Sequence, residues 1–561
     1  MKFYLSILLV TAVAFCAQAE GPEFKFANFQ IIKAQLGLAP YFSQNPARQL
    51  RVAIFADSFQ GYEAKIGTSL PQSTYFHEGP LKTEGLAPIL GTHGTYMAEL
   101  MTALMTDQGR ALQFAPELHL YNATGIDNFR SAIDDAITRK IDIIVYQEVW
   151  EFGGNFDGAG FINREVTRAT NAGIIWINSA GNSGKTTFNS SIRRGSKDDW
   201  VSLPDPNDSL AIRCEKITEP AKKCAIRVVL SWNDFKDDIT KGTDKNLDLQ
   251  LTDDFLGVIE TSELRQVKVI NESHPSKDTS IYPREIIETE VVPGLYYIRV
   301  KDRSHNFTSS DRLRIEVTGK AVTAEHQEAN SGSEVISMSH FDPQENLYNP
   351  ADNPSVVTVG ANDSDRSSIS KKLGKPEVTC PSSVVLGDGA EYRGSSNSTA
   401  FVAARFAILK TLNPEIKQSE LIRTTNIQLH KTISVENQTL NHLAQSTPLQ
   451  RPSTQDLGFT GFGPGGCFKS AGWNAHTAPY LQAAIDRGGV IVNTLAGFKI
   501  AVNFDPALLV GRSSQQRQAS SDAILGTPNG FKIVSRQEAA DRQPSDVEIF
   551  QIPIDIGFCH N

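Results

Sequence analysis

Val52-Ala53-Ile54-Phe55-Ala56-Asp57 is an unbroken apolar run that ends on a carboxylate. A strand with one wet face would alternate, and this one does not, so it reads as a strand covered on both sides. Working outward, Leu118 to Tyr121, Ile141 to Tyr146 and Ile174-Ile175-Trp176-Ile177 repeat the pattern. Between them, Ser131 to Arg139 and Phe161 to Ala172 carry helical periodicity, the second closed by Gly173. This alternation predicts an α/β fold, a parallel β-sheet flanked by helices. Ligands gather outside the carboxyl ends of such strands, which is where Asp57 and Asn182 fall.

Three further segments carry chemistry. His93 stands in Gly91-Thr92-His93-Gly94-Thr95, opening a helical pattern, and Ser396 stands in Gly394-Ser395-Ser396-Asn397-Ser398-Thr399-Ala400, opening another. Asn182 lies in Ser179-Ala180-Gly181-Asn182-Ser183-Gly184, just after an apolar run. A serine hydroxyl is a poor nucleophile until a base takes its proton, and the base needs an acid to fix its tautomer. A side-chain amide can stabilise the oxyanion that forms, and a helix N-terminus favours developing negative charge. The order along the chain is Asp, His, Asn, Ser.

That order and those flanks resemble the subtilisin-like serine proteases. Gly91-Thr92-His93-Gly94-Thr95 matches their histidine motif, Ala180-Gly181-Asn182 their oxyanion asparagine, and the run around Ser396 their Gly-Thr-Ser-Met-Ala-x-Pro motif. The resemblance implies Asp57, His93 and Ser396 as a catalytic triad and Asn182 as oxyanion donor, with no cofactor required. It also implies that Gln147, Glu148, Val149 and Trp150 pair with substrate and line its specificity pocket. There Glu148 would favour a basic side chain and Trp150 would narrow the pocket, unless either points to solvent. Phe59 stands where the family has a glycine, Asn397-Ser398 replaces Met-Ala, and Ala400 replaces the proline.

Each residue also has a plainer reading. Asp57 could be an ordinary strand-end carboxylate, His93 a cap, the serine run a loop, and Asn182 a turn residue. Asp234, Asp248 and neighbouring carboxylates could bind a structural calcium, but acidic turns without EF-hand spacing need no metal. The implied activity is a secreted serine endopeptidase acting on proteins or peptides. The alternative is a catalytically weak relative working as a binding or surface protein. An esterase is disfavoured because Ser396 lacks a Gly-x-Ser-x-Gly elbow.

The 561 residues carry 40% hydrophobic and 21% charged residues and a net charge of -9, a globular composition without a basic footprint for nucleic acid. Lys2, the apolar stretch from Leu5 to Phe15 and Ala17-Gln18-Ala19 read as a signal peptide cut after Ala19. The stretch is short for a membrane anchor, and Phe15 argues against lipidation at Cys16. An exported chain favours the pairs Cys214–Cys224 and Cys467–Cys559, leaving Cys380 odd, although five thiols allow other pairings. About thirty residues separate the cleavage site from the first strand, too few for a folded inhibitory propeptide.

Near Thr186 the pattern changes to short, often alternating strands such as Arg227 to Trp232, Leu247 to Leu251, Tyr296 to Val300 and Leu313 to Val317. These predict an inserted all-β sandwich or jelly roll, which would explain the separation of 214 positions from Asn182 to Ser396. The parallel pattern resumes at Pro354 to Ala361. The expected segments are therefore a signal peptide (1–19), a catalytic domain in two parts (20–190 and 323–430), the insertion (191–322) and a C-terminal region (431–561) without assigned function. Ser419 to Thr425, near the end of the second catalytic part, reads as helical, and in the C-terminal region Ala478 to Arg487 does so as well. Gly489 to Val492, Phe498 to Val502 and Glu548 to Ile556 read as strands. Substrate identity, oligomeric state and an extracellular or periplasmic destination are not legible.

Overall fold

A computed structural model of the chain describes residues 28–80, 91–106, 114–195, 199–215, 221–269, 278–323, 335–386 and 391–445, together with six strands between 466 and 558. The signal segment, the 478–487 helix, residues 548–553 and Cys559 lie outside the described residues. The chain forms two compact units. The first holds residues up to Gly360, Arg366–Thr379 and Ser395–Ile422, and the second holds Ala361–Asp365, Cys380–Gly394 and Arg423 onward.

The first unit is built on the elements α1 (Phe29–Gln35), β1 (Arg51–Ala56), β2 (Thr74–His77), α2 (His93–Leu104), β3 (Glu117–Asn122), α3 (Gly125–Thr138), β4 (Ile143–Tyr146), α4 (Phe161–Asn171) and β5 (Ile175–Ser179). After the inserted strands, from β6 (Thr187–Ser191) to β16 (Ile336–Met338), come β17 (Val357–Ala361), β18 (Val378–Cys380), α5 (Ser395–Leu412) and α6 (Gln418–Gln445), the last belonging to the second unit from Arg423 onward. The seven-stranded sheet runs β18-β17-β5-β4-β1-β3-β2, and the pairings from β17 across to β2 are parallel.

Every residue of β4 and β5, and all of β1 after Arg51, is buried, which is why these strands do not alternate. Helix α3 and the segment after β4 bring aromatic rings to one face of the sheet. Phe55 packs edge-on to Trp176 at 5.6 Å and to Phe129 at 6.2 Å, and Phe129 meets Tyr146 at 5.6 Å. Phe55, Phe129 and Trp176 have no exposed surface, so truncating one to alanine costs about 3–5 kcal/mol.

The α/β sheet flanked by helices matches the expectation, as does a region of separate antiparallel sheets between β5 and β17. One sheet orders β13 (Arg284–Val291), β8 (Ala221–Trp232), β15 (Arg312–Thr323) and β6, and the other orders β10 (Val258–Ser262), β9 (Leu247–Thr252), β14 (Gly294–Asp302), β7 (Leu210–Cys214) and β16. Trp232, Val228, Leu230, Leu249, Ile298 and Ile315 belong to a single apolar core there, the arrangement of two facing sheets. The antiparallel strands extend from Thr187 to Met338, wider than the expected 191–322. The first strand, Thr187–Ser191, is polar and lacks a strand signature, while Ile336–Met338 is recruited by pairing with Leu210–Cys214. Cys214 and Cys224 form a disulfide.

Helix α6 begins at Gln418 and is longer than the expected 419–425. In the second unit, Val384–Val385 pairs with Glu391–Tyr392, and three antiparallel pairs join Gly466–Ser470 with Ile554–Phe558, Gly489–Asn493 with Lys499–Asn503, and Asp522–Thr527 with Gly530–Ser535. Among the described residues no helix is long and apolar enough to cross a membrane.

Candidate active site

Strands β1 and β4 are neighbours with Phe55 opposite Tyr146. Continuing that register past both carboxyl ends brings Asp57 opposite Glu148, one residue beyond Gln147. Asp57 N–H donates to Glu148 Oε1 at 2.9 Å, Ser58 Oγ donates to Asp57 Oδ1 at 2.8 Å, and Thr124 Oγ1 donates to the Asp57 carbonyl at 3.0 Å. The acid at the end of β1 is thus held on three sides by the loops after β1, β3 and β4.

His93 is the first residue of α2. Gly94 N–H donates to the Ser58 carbonyl at 3.0 Å, docking the helix start on the loop after β1. A Cβ on Gly94 would stand 2.6 Å from both Ser58 O and the Phe59 ring, and 2.8 Å from Ala56 Cβ. The glycine is therefore required by this close backbone approach. Phe59, buried to 6% exposure, occupies the space beneath it, so Phe59 and Gly94 form one packing solution.

The His93 ring is 40% exposed, and its Nδ1 stands 4.0 Å from Glu148 Oε1. Burial lowers its pKa and the Asp57 charge opposes that shift, which favours the neutral imidazole a general base needs. Among the described residues no hydrogen bond joins His93 to Asp57 or to Ser396. The acid nearest to the imidazole is Glu148 rather than Asp57.

Ser396 is the second residue of α5, and α5 packs against both α2 and β5. Its Oγ donates to the Gln147 carbonyl at 3.1 Å. The hydroxyl and the imidazole therefore address consecutive residues of one loop, Gln147 and Glu148, whose Cα atoms are about 3.8 Å apart.

The oxyanion side is built from backbone and neutral groups. Asn182 is exposed, and its Oδ1 accepts Ser395 N–H at 3.0 Å and Ser395 Oγ at 3.1 Å. With the oxygen so occupied, the amide N–H₂ is the end turned to other acceptors. Ser395 is wholly buried and exchanges a hydrogen bond with Ser179 Oγ at 2.7 Å, while Gly181 N–H donates to Ser395 Oγ at 3.1 Å. Gly181 has a φ of 90°, and Ser368 fixes the turn by donating its N–H to the Gly181 carbonyl and accepting from Ser183 N–H, each at 2.9 Å.

The four residues expected to line a substrate pocket have distinct environments. Gln147 lends its carbonyl to Ser396, and both of its amide atoms are buried without a hydrogen-bond partner among the described residues. Glu148 turns its carboxyl to Asp57, and Val149 packs beside Ala180, Leu347 and Ala351. Trp150 N–H donates to the Asn349 carbonyl at 2.7 Å, and its ring packs edge-on to Phe129 and Phe152 at 5.6 and 5.7 Å. That ring extends the apolar core on the α3 face.

Sequence reasoning missed Ser179, Ser395 and Ser368, since small polar residues beside a nucleophile or a glycine turn carry no distinctive signature. Asp234 accepts from Lys236 and Thr243, and Asp248 pairs with Arg303. Among the described residues no group of three or more histidine, cysteine or acidic side chains is arranged to hold a metal.

No known protein family matches the chain, and no curated protein matches it. Among solved structures it aligns with the CspB protease of Clostridium perfringens at 12% identity and a TM-score of 0.38, covering 68% of this chain and 86% of that one. It also aligns with the nisin leader peptidase NisP of Lactococcus lactis at 13% identity and a TM-score of 0.29, covering 70% and 86%. Likeness at this level carries no statement about the activity of this chain.

Proposed function

We propose that the chain is a secreted serine endopeptidase of the subtilisin-like type. The observation that supports this reading is the convergence of four distant segments at the carboxyl ends of β1, β4 and β5. Asp57 and His93 lie against Glu148, Ser396 bonds the adjacent Gln147 carbonyl, and Asn182 bonds Ser395, the neighbour of Ser396. In the proposed reaction Ser396 Oγ attacks the peptide carbonyl while His93 takes the hydroxyl proton. Asp57 stabilises the imidazolium that forms, and the proton passes from His93 to the leaving amine. Asn182 Nδ2 and the Ser396 N–H, one of the unpaired donors at the start of α5, stabilise the oxyanion. No step calls for a metal or an organic cofactor.

The Ser396–Gln147 bond must open for the hydroxyl to turn to His93. Catalytic hydrogen bonds that are long or absent without substrate commonly tighten once substrate is bound. Substrate pairing would release that bond, because an extended peptide lying along residues 147–150 competes for the Gln147 carbonyl with its own N–H. The buried, unpartnered Gln147 amide is a second group that gains from a ligand.

The inserted sheets brace this loop. Arg227 pairs with Glu151 at 2.8 Å, Ser231 Oγ donates to the Glu151 carbonyl at 3.0 Å, and Asn155 and Phe235 exchange two hydrogen bonds at 2.8 and 2.9 Å.

A fluorophosphonate probe tests the reading. The wild-type protein should be labelled at Ser396 and hydrolyse casein, and Ser396→Ala should do neither. Equal labelling of the variant, or no labelling of the wild type, rejects it. A second reading, a binding protein that turns over little or nothing, draws on the absence of a Ser396–His93 bond. Tight peptide binding with intact peptide recovered would support that reading.

A further inference from the structure

The loop after β4 carries a second acid into the site. Glu148 Oε1 accepts Asp57 N–H at 2.9 Å and stands 4.0 Å from His93 Nδ1. Its backbone is fixed as well. Asn178 Nδ2 donates to the Glu148 carbonyl at 3.0 Å, and Asn178 Oδ1 accepts the Trp176 indole N–H at 2.9 Å. The Glu148 carboxyl also meets the Asp57 carboxyl in a side-chain hydrogen bond, and two carboxyls in such contact cannot both ionise cheaply.

We propose that Glu148 is a positioning residue of the catalytic acid, a neutral carboxyl that donates its proton to a hydrogen bond with the Asp57 carboxylate and so fixes the charge facing His93. The proposal deepens the protease reading given above and rests on it for its kinetic consequence. The coupling between Glu148 and His93 does not depend on turnover.

Burial is the main reason that the Glu148 carboxyl is pushed up to about 8, and the Asp57 charge and the hydrogen bond between the two carboxyls add to it. The titratable groups around it are Asp57 after β1, His93 on α2, Tyr146 at the end of β4, and Glu151 in the same loop. When Glu148 loses its proton to solvent, a second negative charge appears beside Nδ1. The imidazole then binds its own proton more tightly, and the hydrogen bond that oriented Asp57 turns into repulsion.

The test uses the full chain with isotope-labelled histidine, its His93 ring signals assigned from His93→Gln. Across roughly pH 5 to 10, the wild-type His93 shifts should show a second inflection near the Glu148 titration, and Glu148→Gln should lack it. Identical curves in the two proteins overturn the proposal. Kinetics provide the second readout. Glu148→Leu should lower kcat about tenfold or more with KM held, and Glu148→Gln, which can still donate to Asp57, should recover most of that loss and flatten the alkaline limb. Equal kcat in all three proteins also overturns it. If Ser396 is not labelled and no protein turns over, the protease reading fails while the ring titration still decides the coupling.

Discussion

The two sides of the candidate site are held by different physics. On the acid–base side, Asp57, Glu148 and His93 meet through ionisable groups whose charge states depend on one another. On the nucleophile side, Ser396, Ser395, Ser179 and Asn182 meet through hydroxyls, an amide and backbone groups that keep one charge state at any physiological pH. The hydroxyl side can therefore be rigid without being pH-sensitive, and pH dependence should enter through the carboxyl side. Substitutions can break that contrast or sharpen it.

The largest expected effect is that of His93→Ala, which removes the base shared by both sides. It should reduce kcat by about 10⁶-fold, read as single-turnover hydrolysis of a fluorogenic peptide. Next comes Asn182→Ala, expected to lower kcat by about 10²–10³-fold with little change in KM. If the loss appears in KM instead, Asn182 binds ground-state substrate and the oxyanion assignment is wrong. Ser395→Ala removes the hydroxyl that receives Gly181 N–H and donates to Asn182. It should destabilise the fold by about 1–3 kcal/mol and lower kcat with a pH profile parallel to that of wild type. A changed pH profile would show that the neutral side is electrostatically coupled after all.

Thermal stability separates the two sides further. A carboxyl whose pKa is raised on folding binds more protons folded than unfolded between its two pKa values. Stability therefore falls as pH rises from the ordinary glutamate range toward 8. Glu148→Gln removes this penalty, so its Tm should gain on wild type as pH increases through that window, by roughly 1 °C for each kcal/mol relieved in a unit of this size. The smallest effect is expected far from either side. Arg227→Met loses the partly exposed pair with Glu151, costs about 1 kcal/mol or less, and should shift KM more than kcat if the inserted sheets brace the substrate loop.

Gly94 and Phe59 show how legibility depends on scale. Gly94 is visible in the chain beside His93, but its reason lies in a 2.6 Å approach to the loop after β1. Glu148 and Trp150 show the same limit. Their loop was identifiable as the one after β4, yet which way each side chain turned depended on β4 lying beside β1 and on Asn349 taking the Trp150 N–H. The insertion was legible from its alternating strands, while its outer strands at 187–191 and 336–338 were not, because they hold their conformation by pairing rather than by their own composition.

The sequence by itself determined the α/β class, the buried parallel strands and the order Asp57, His93, Asn182, Ser396, since unbroken apolar runs and helical periodicity are local consequences of which faces must avoid water. Only the tertiary structure decided that Glu148 is the acid nearest His93 and that Ser395 anchors Asn182. Those contacts depend on strand order and on register between segments far apart in the chain, and such contacts leave no periodic signal in either segment alone.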